Sequence, residues 1–181
     1  MTQLRSVPFR VRAAEPADIP TMMRLKRLLA LAEDSLHAVC ASEDDWLRDG
    51  FGPDAGFRAF VAEHADPDGG NTVIGMATCS QRKLTGWNGP VVFLQDLYVE
   101  ADYRQHGVAA ALVARVAALA RDVGSPIIEL TVRADNPAQH FYQRYGFQHL
   151  PQCLTYVITG PALMKLAEGD RAENEKLPLA G

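Results

Sequence analysis

The middle of the sequence changes from consecutive strands to an alternation of strand and helix. Residues 91–100 and 127–133 each predict a strand, and residues 107–122 between them predict an alanine-rich helix. That helix carries few charges, so it should be largely buried. Two strands joined through a helix require a crossover connection, which places at least one parallel pair in the sheet. The pattern therefore predicts a mixed α/β fold.

The residues before this alternation predict further strands and two helices. Residues 9–12 alternate apolar and polar side chains as a strand does, and residues 15–18 open a helix with proline and acids. A second helix begins after Ser42, a residue type that favours the N-cap position. Residues 57–63 and 71–82 then predict a hairpin, because turn-forming residues lie between them.

The C-terminal part predicts a short helix over residues 137–145 and a last strand over residues 153–159. From about residue 167 the sequence is charged and poor in apolar groups, which predicts disorder. The length of 181 residues suits one compact domain. We therefore expect a single domain over residues 1–166 and a disordered tail over residues 167–181.

Composition limits the classes of partner and compartment. The formal charge of -4 argues against nucleic acid and anionic membranes as partners. The cysteines are three, an odd number without close spacing, which predicts no disulfide framework and fits a reducing cytoplasm. The sequence has neither the apolar run of a secretory signal nor that of a membrane span. Its five histidines do not cluster, so we expect no metal.

A loop at the start of the buried helix has the composition of an anion-binding site. Gly107 lets the backbone approach a ligand closely, and Arg104 adds a charged donor. Unpaired N–H groups and the positive end of the helix dipole favour a pyrophosphate there. An ordinary helix start is the alternative interpretation. The candidate binding residues are Arg104, Gln105, His106, Gly107, Val108, Ala109 and Ala110.

A second motif, Ala-x-x-Phe-Tyr-x-x-x-Gly-Phe, lies on the predicted helix of residues 137–145 and just after it. Together with Arg-x-x-Gly-x-Ala at residues 104–109, it resembles the GNAT superfamily of acetyl-CoA-dependent N-acetyltransferases. The order of elements across residues 9–167 is similar to that superfamily as well. The resemblance implies a mixed, mostly antiparallel central sheet that is flanked by helices and splayed at a CoA cleft.

The same resemblance implies the binding mode of the co-substrate. Acetyl-CoA would place its pyrophosphate on the loop, and a bulge in the preceding strand would part the sheet. The pantetheine would then bond to the backbone of Leu97, Tyr98 and Val99. The resemblance also implies a homodimer and an amine as the acceptor.

Within the superfamily, residues 47–52 and 94–104 are most similar to the diamine and thialysine acetyltransferases. Gln95 stands where that branch usually has Glu, which removes a carboxylate expected near a cationic amine. Asp135 stands where the branch usually has Asn, seven residues before its catalytic Tyr, and Asn136 follows it. Either of these two residues is therefore a candidate contact to CoA.

Acetyl transfer needs a neutral amine, a stabilised oxyanion and a proton for the departing thiolate. By resemblance Tyr142 is the general acid, and a phenol of pKa about 10 stays protonated at pH 7. Simple packing of its helix on the sheet is the alternative. Asp96 and Glu129, on neighbouring predicted strands, are candidates for substrate orientation or a water-relayed base. Loss of the amine proton to bulk water would make such a base unnecessary.

These features predict direct acetyl transfer to a primary amine. A small molecule is the preferred candidate for the acceptor, and a protein is the alternative. A covalent acyl-enzyme is not expected, because Cys79 and Cys153 have no adjacent histidine. A CoA-binding regulatory module without turnover is the non-enzymatic alternative.

Overall fold

A computed structural model describes residues 7–67, 69–86 and 88–174, with side chains as far as residue 167. The chain forms two compact units, divided in the sequence between Thr131 and Val132. The elements of the first unit are β1 (Phe9–Ala13), α1 (Ile19–Ala32), α2 (Glu43–Phe51), β2 (Arg58–Ala65), β3 (Asn71–Lys83), β4 (Pro90–Val99), α3 (Val108–Asp122) and β5 (Ile128–Leu130). The elements of the second unit are α4 (Gln139–Arg144) and α5 (Gly160–Asn174).

The five strands of the first unit form one sheet in the order β1-β2-β3-β4-β5. The first three pairings are antiparallel, and β4 pairs with β5 in parallel. The parallel pair is the one that α3 connects, as a crossover helix should. The expected mixed, mostly antiparallel sheet is therefore confirmed.

Helices cover both faces of this sheet. Val61 and Met76 belong to an apolar cluster with residues of α1, such as Met22. Their neighbours along the strands face the other way: Phe60 lies 5.1 Å from the guanidinium of Arg115 on α3. The core thus consists of two apolar layers, one between the sheet and α1 and one between the sheet and α3.

An ion-pair network fastens the start of α1 to the sheet. Arg12 on β1 donates to both carboxylate oxygens of Asp18, at 2.7 and 2.9 Å, and lies 3.3 Å from Glu63 on β2. Burial raises the pKa of Asp18, but the bonds from Arg12 and from the backbone N–H of Glu15 outweigh burial and hold that pKa below its usual value. The charged form of Asp18 is therefore favoured in the folded protein.

The C-terminal predictions fare less well than those for the first unit. Residues 153–159 do not form a strand, and Tyr156 and Val157 are exposed. A strand needs a hydrogen-bonding neighbour, and none pairs with this segment in the described part of the chain. Residues 167–174 are helical where disorder was expected, because α5 continues through them, and residues 175–181 lie outside the described residues. The domain boundary at residue 166 stays a prediction.

Candidate functional site

The sheet opens at a bulge in β4. Thr78 of β3 pairs with Asp96, whereas the next residue, Cys79, pairs with Leu94, so Gln95 is the extra residue. The ladder between β4 and β5 ends one residue before the bulge, at the pair Leu94 and Leu130. Beyond that point no strand in the described part of the first unit pairs with this edge of β4. Residues 95–99 are the open edge of β4, and the predicted parting of the sheet lies there.

The alternation of the backbone decides which groups the open edge presents. The N–H of Glu100 donates to the carbonyl of Ile74 on β3, at 2.9 Å. Since strand residues alternate between their two neighbours, Tyr98 also turns its backbone groups toward β3. Leu97 and Val99 then face the opposite direction. In agreement, the carbonyl of Val99 accepts a bond from Nε of Arg104 at 3.0 Å, outside the sheet.

The backbone amides of the loop before α3 are here called the amide cradle (residues 104–110). Gln105 and Gly107 have φ values of 65° and 83°, in the left-handed region that residues other than glycine seldom adopt. The first bond of α3 runs from Ala111 to the carbonyl of Gly107, so the three preceding N–H groups have no helical partner. A Cβ built at Gly107 would meet no atom within 4 Å. The cradle is therefore open and has the geometry that suits an anion.

Asp96 lies at the bulge on the face of the sheet that α1 covers. One carboxylate oxygen pairs with the ammonium of Lys26 on α1, and the other accepts a bond of 2.7 Å from the hydroxyl of Thr78. The Asp96 side chain is 10% exposed and the Lys26 side chain 32%. Both oxygens of this candidate carboxylate are thus occupied by the protein's own donors.

Glu129 lies on the same face. It pairs with Phe93 on β4, and Phe93 and Asp96 share a face because the extra residue of the bulge lies between them. Its carboxylate forms an ion pair with Arg82 of β3. The guanidinium of Arg82 also lies over the ring of Phe93, 4.5 Å from the centroid. The Glu129 side chain is 40% exposed and is therefore more accessible than Asp96.

The remaining predicted site residues belong to the second unit. Tyr142 lies on α4, where its ring packs against Phe141 and Phe147 at centroid distances of 5.3 and 5.5 Å. Arg133 donates two bonds of 2.9 Å to the carboxylate of Asp135 and holds the pKa of that carboxyl below its usual value. Asn136 accepts a 2.9 Å bond from the N–H of Ala138, just before α4. Asn136 therefore positions the start of this helix.

Sequence reasoning missed Lys26, Thr78 and Arg82, which complete the polar cluster around the two carboxylates. A signal for Lys26 was present. It lies four residues after Met22 and four before Ala30, both of which are buried, so it stands on the apolar stripe of α1. A lysine in that position indicates a buried acidic partner.

Cys79 does not have the environment of a nucleophile. Its side chain is in the core, and burial raises the pKa of its thiol to about 11. Across the described residues, His, Cys, Asp and Glu side chains form no group of three or more that suits a metal ion. Nor does any helix of the described chain combine the length and the hydropathy of a bilayer-spanning segment.

Comparisons with known proteins identify the family to which this chain belongs. The model of the acetyltransferase (GNAT) family matches residues 25–147. Thialysine N-epsilon-acetyltransferase of Mus musculus is 33% identical over 165 residues, covering 87% of this chain and 96% of the relative. The protein of the same name from Bos taurus is 32% identical over 164 residues with the same coverage.

Solved structures share the fold. An integron cassette protein from the mobile metagenome of V. cholerae has a TM-score of 0.68 at 21% identity, covering 88% of this chain and 98% of that chain. An aminoglycoside N-acetyltransferase solved with CoA has a TM-score of 0.65 at 23% identity, covering 87% and 99%. At these identities the likeness shows the fold.

Proposed function

This chain belongs to the acetyltransferase (GNAT) family and is an N-acetyltransferase; we propose that it transfers the acetyl group of acetyl-CoA directly to a primary amine of a small molecule. The observation that carries the proposal is the succession of an open strand edge and an amide cradle in one unit. Arg104 joins the two, because it belongs to the cradle and bonds to Val99 at the end of the edge. CoA contains a pyrophosphate and an amide-bearing pantetheine arm, which suit these two features.

The open edge of β4 also supplies an electrophilic contact. The N–H of Leu97 faces away from β3 and is the candidate donor to the acetyl carbonyl as it becomes an oxyanion. Such a backbone donor is fixed by the sheet, so it needs no reorganisation during the reaction. The thioester carbon is then attacked by the amine, the C–N bond forms and the C–S bond breaks.

The departing thiolate takes up a proton from Tyr142 in this proposal, and the proton that the nitrogen loses as it becomes an amide returns the tyrosinate to its neutral form. Support comes from the family motif on α4 and from the ordinary acidity of a phenol, which remains protonated at pH 7. Asp135 and Asn136, which precede α4, are proposed contacts to CoA. The ion pair with Arg133 holds the carboxylate of Asp135 in place. The bond at the start of the helix holds the side-chain amide of Asn136 in place.

The acceptor amine has to lose a proton before it attacks. A lysine-like amine has a pKa of about 10.4, which is about 3.4 units above pH 7. Removing its proton at pH 7 therefore costs about 4.6 kcal/mol. Glu129 is the better candidate for a water-relayed base, since Asp96 has both oxygens occupied and is less exposed. Asp96 instead orients the cluster through Lys26 and Thr78.

A small-molecule acceptor is supported by the names of the relatives, which act on thialysine and on aminoglycosides. Two further expectations belong to the same proposal. We expect a homodimer by family resemblance. We also expect a cytoplasmic setting, because three free cysteines fit a reducing compartment. Sedimentation of the purified protein tests the first, and fractionation of the native cells tests the second.

Calorimetric titration with acetyl-CoA, followed by a thiol-release assay over diamines, amino acids with side-chain amines, aminoglycosides and short peptides, tests the function. Binding with turnover on a small amine is the expected result. Turnover on peptides alone would replace the small molecule by a protein acceptor. Binding without turnover would favour a CoA-dependent regulatory module, and failure to bind would refute the proposed co-substrate.

A further inference from the structure

The side chain of Arg104 is held by the strand that it follows. Its Nε donates to the carbonyl of Val99 at 3.0 Å, and its guanidinium lies over the ring of Tyr98, 5.5 Å from the centroid. The backbone N–H of Arg104 donates to the carbonyl of Ala101 at 3.3 Å. Both the side chain and the backbone of this residue therefore bond to the protein itself at the point where the amide cradle begins.

The residue after Arg104 has a strained backbone. Gln105 has a φ of 65°, and a residue other than glycine keeps such a conformation only when its surroundings hold it there. The contacts of Arg104 lie directly before this residue and tie the cradle to β4, which pairs with β3 along its length. The side chain of Arg104 thus has a task within the protein that needs no ligand.

An anion in the cradle does not require the guanidinium. The N–H groups of Val108, Ala109 and Ala110 have no partner within α3, and the positive end of the helix dipole adds to their attraction. These donors are fixed by the backbone of the helix. They suit a pyrophosphate without any contribution from a side chain.

The bond to Val99 also limits what the open edge of β4 offers. The N–H and the carbonyl of Val99 face away from β3, as do those of Leu97, and Arg104 occupies the carbonyl of Val99. Between these two edge residues, a ligand therefore meets two N–H groups and one carbonyl, that of Leu97. The side chain of Arg104 marks the end of the edge.

We infer that Arg104 is a positioning residue: its Nε holds the amide cradle against the end of the open edge, and the backbone amides hold the pyrophosphate. The cradle and the edge then stay at a fixed distance, which sets how far the thioester reaches along β4. This inference rests on the proposed function and assigns a role to one residue of the same site. It differs from the sequence-based expectation, in which the guanidinium is a charged donor to the anion.

Two substitutions of Arg104 separate the bond at Nε from the positive charge. In Arg104→Gln the amide nitrogen is bonded to Cδ, as Nε is in arginine, so the donor to Val99 is kept and the charge is lost. In Arg104→Lys a methylene group stands in the place of Nε, so the charge is kept and that donor is lost. We expect Arg104→Gln to bind acetyl-CoA with a Kd within about threefold of the wild type. Arg104→Lys and Arg104→Met should raise the Kd about tenfold, since a carbonyl loses its bond.

The rate at saturating substrates distinguishes positioning from a simple contact to phosphate. Loss of a contact that serves binding alone raises KM and leaves kcat unchanged. A cradle that has moved relative to β4 displaces the thioester from the N–H of Leu97, and a small displacement costs a large factor in rate. Arg104→Lys should therefore lower kcat about tenfold or more at saturating acetyl-CoA, and Arg104→Gln should restore it.

Arg115 on α3 is the matched control. Its guanidinium also lies over an aromatic ring, that of Phe60 at 5.1 Å, but outside the cradle and the open edge. Arg115→Gln and Arg115→Lys should leave the Kd of acetyl-CoA and kcat unchanged. Scanning calorimetry of every variant shows whether it is folded.

The outcomes separate this inference from the function on which it rests. A tenfold rise in Kd for Arg104→Gln, with Arg104→Lys close to the wild type, assigns the side chain to the phosphate and overturns the inference alone. Unchanged Kd and kcat in Arg104→Met overturn it as well. If the Lys and Met variants do not fold, Arg104→Gln decides by itself, because a retained Kd and kcat support the inference and a tenfold loss of either overturns it. A wild type that does not bind acetyl-CoA refutes the proposed function, and the inference with it.

Discussion

Gly107, in the middle of the amide cradle, gives the most direct test of the co-substrate site. Its φ of 83° is left-handed, and a Cβ at this position would meet no protein atom within 4 Å. Gly107→Ala should therefore cost only backbone strain, about 1–2 kcal/mol. For a chain of this length that corresponds to a fall in Tm of about 2–8 °C.

Gly124 is the matched control, because it follows the other end of α3, has a φ of 70° and also has open space at its Cβ position. Gly124→Ala should lose a similar amount of stability and keep the affinity for acetyl-CoA. Gly107→Ala should lose affinity, because its methyl group occupies the space of the cradle. Differential scanning calorimetry measures the first effect and isothermal titration the second.

Gly107→Glu adds a charge to the same test. A carboxylate about 4 Å from a phosphate, at an effective dielectric constant of about 20, repels it by about 4 kcal/mol. That energy corresponds to a rise of about a thousandfold in the Kd of acetyl-CoA. A Kd within twofold of the wild type in Gly107→Glu would refute the assignment of the cradle to the pyrophosphate.

Tyr142→Phe should lower kcat by about a hundredfold or more while the Kd of acetyl-CoA stays the same, and an equally active variant would remove Tyr142 as general acid. The pKa of Asp18 is lower in the folded state than its unfolded-state value of 3.8, so ionised Asp18 stabilises the fold at pH values above 3.8. This contribution is lost as the pH falls through the lower pKa of the folded state. Arg12→Met should therefore reduce the free energy of unfolding more at pH 7 than at pH 3, as measured with urea. Because burial raises the pKa of Cys79 to about 11, its thiol should resist iodoacetamide at pH 8 in the folded protein, unlike exposed Cys40. Cys79→Ala should retain turnover, and its inactivation would point to an acyl-enzyme.

Local patterns were enough to predict the parts of the fold that depend on near neighbours in the chain. The N-cap at Ser42 is confirmed, since its hydroxyl accepts the N–H of Asp45 at 3.2 Å. The glycine before α3 is confirmed as the residue at the helix start. Such features are stabilised by contacts three or four residues apart, which a sequence displays directly.

The strand predicted over residues 153–159 shows where that reasoning fails. Its β-branched and aromatic residues are typical of a strand, yet a strand exists only when a second one pairs with it. Strand β5 makes the same point, because 127–133 was predicted and only Ile128–Leu130 pairs with β4 before the bulge. Pairing is a property of the folded chain, so periodicity alone does not determine it.

The sequence by itself determined the mixed α/β class, the glycine and helix of the amide cradle, and the motif that indicates the family. The tertiary structure decided the surroundings of Asp96. Leu94 and Asp96 are two residues apart and would share a face in a regular strand. The bulge at Gln95 places them on opposite faces, with Leu94 opposite Cys79 and Asp96 opposite Thr78. Asp96 thereby meets Lys26, a residue 70 positions earlier. One inserted residue thus changes the face of a side chain, and only the register of the assembled sheet reveals it.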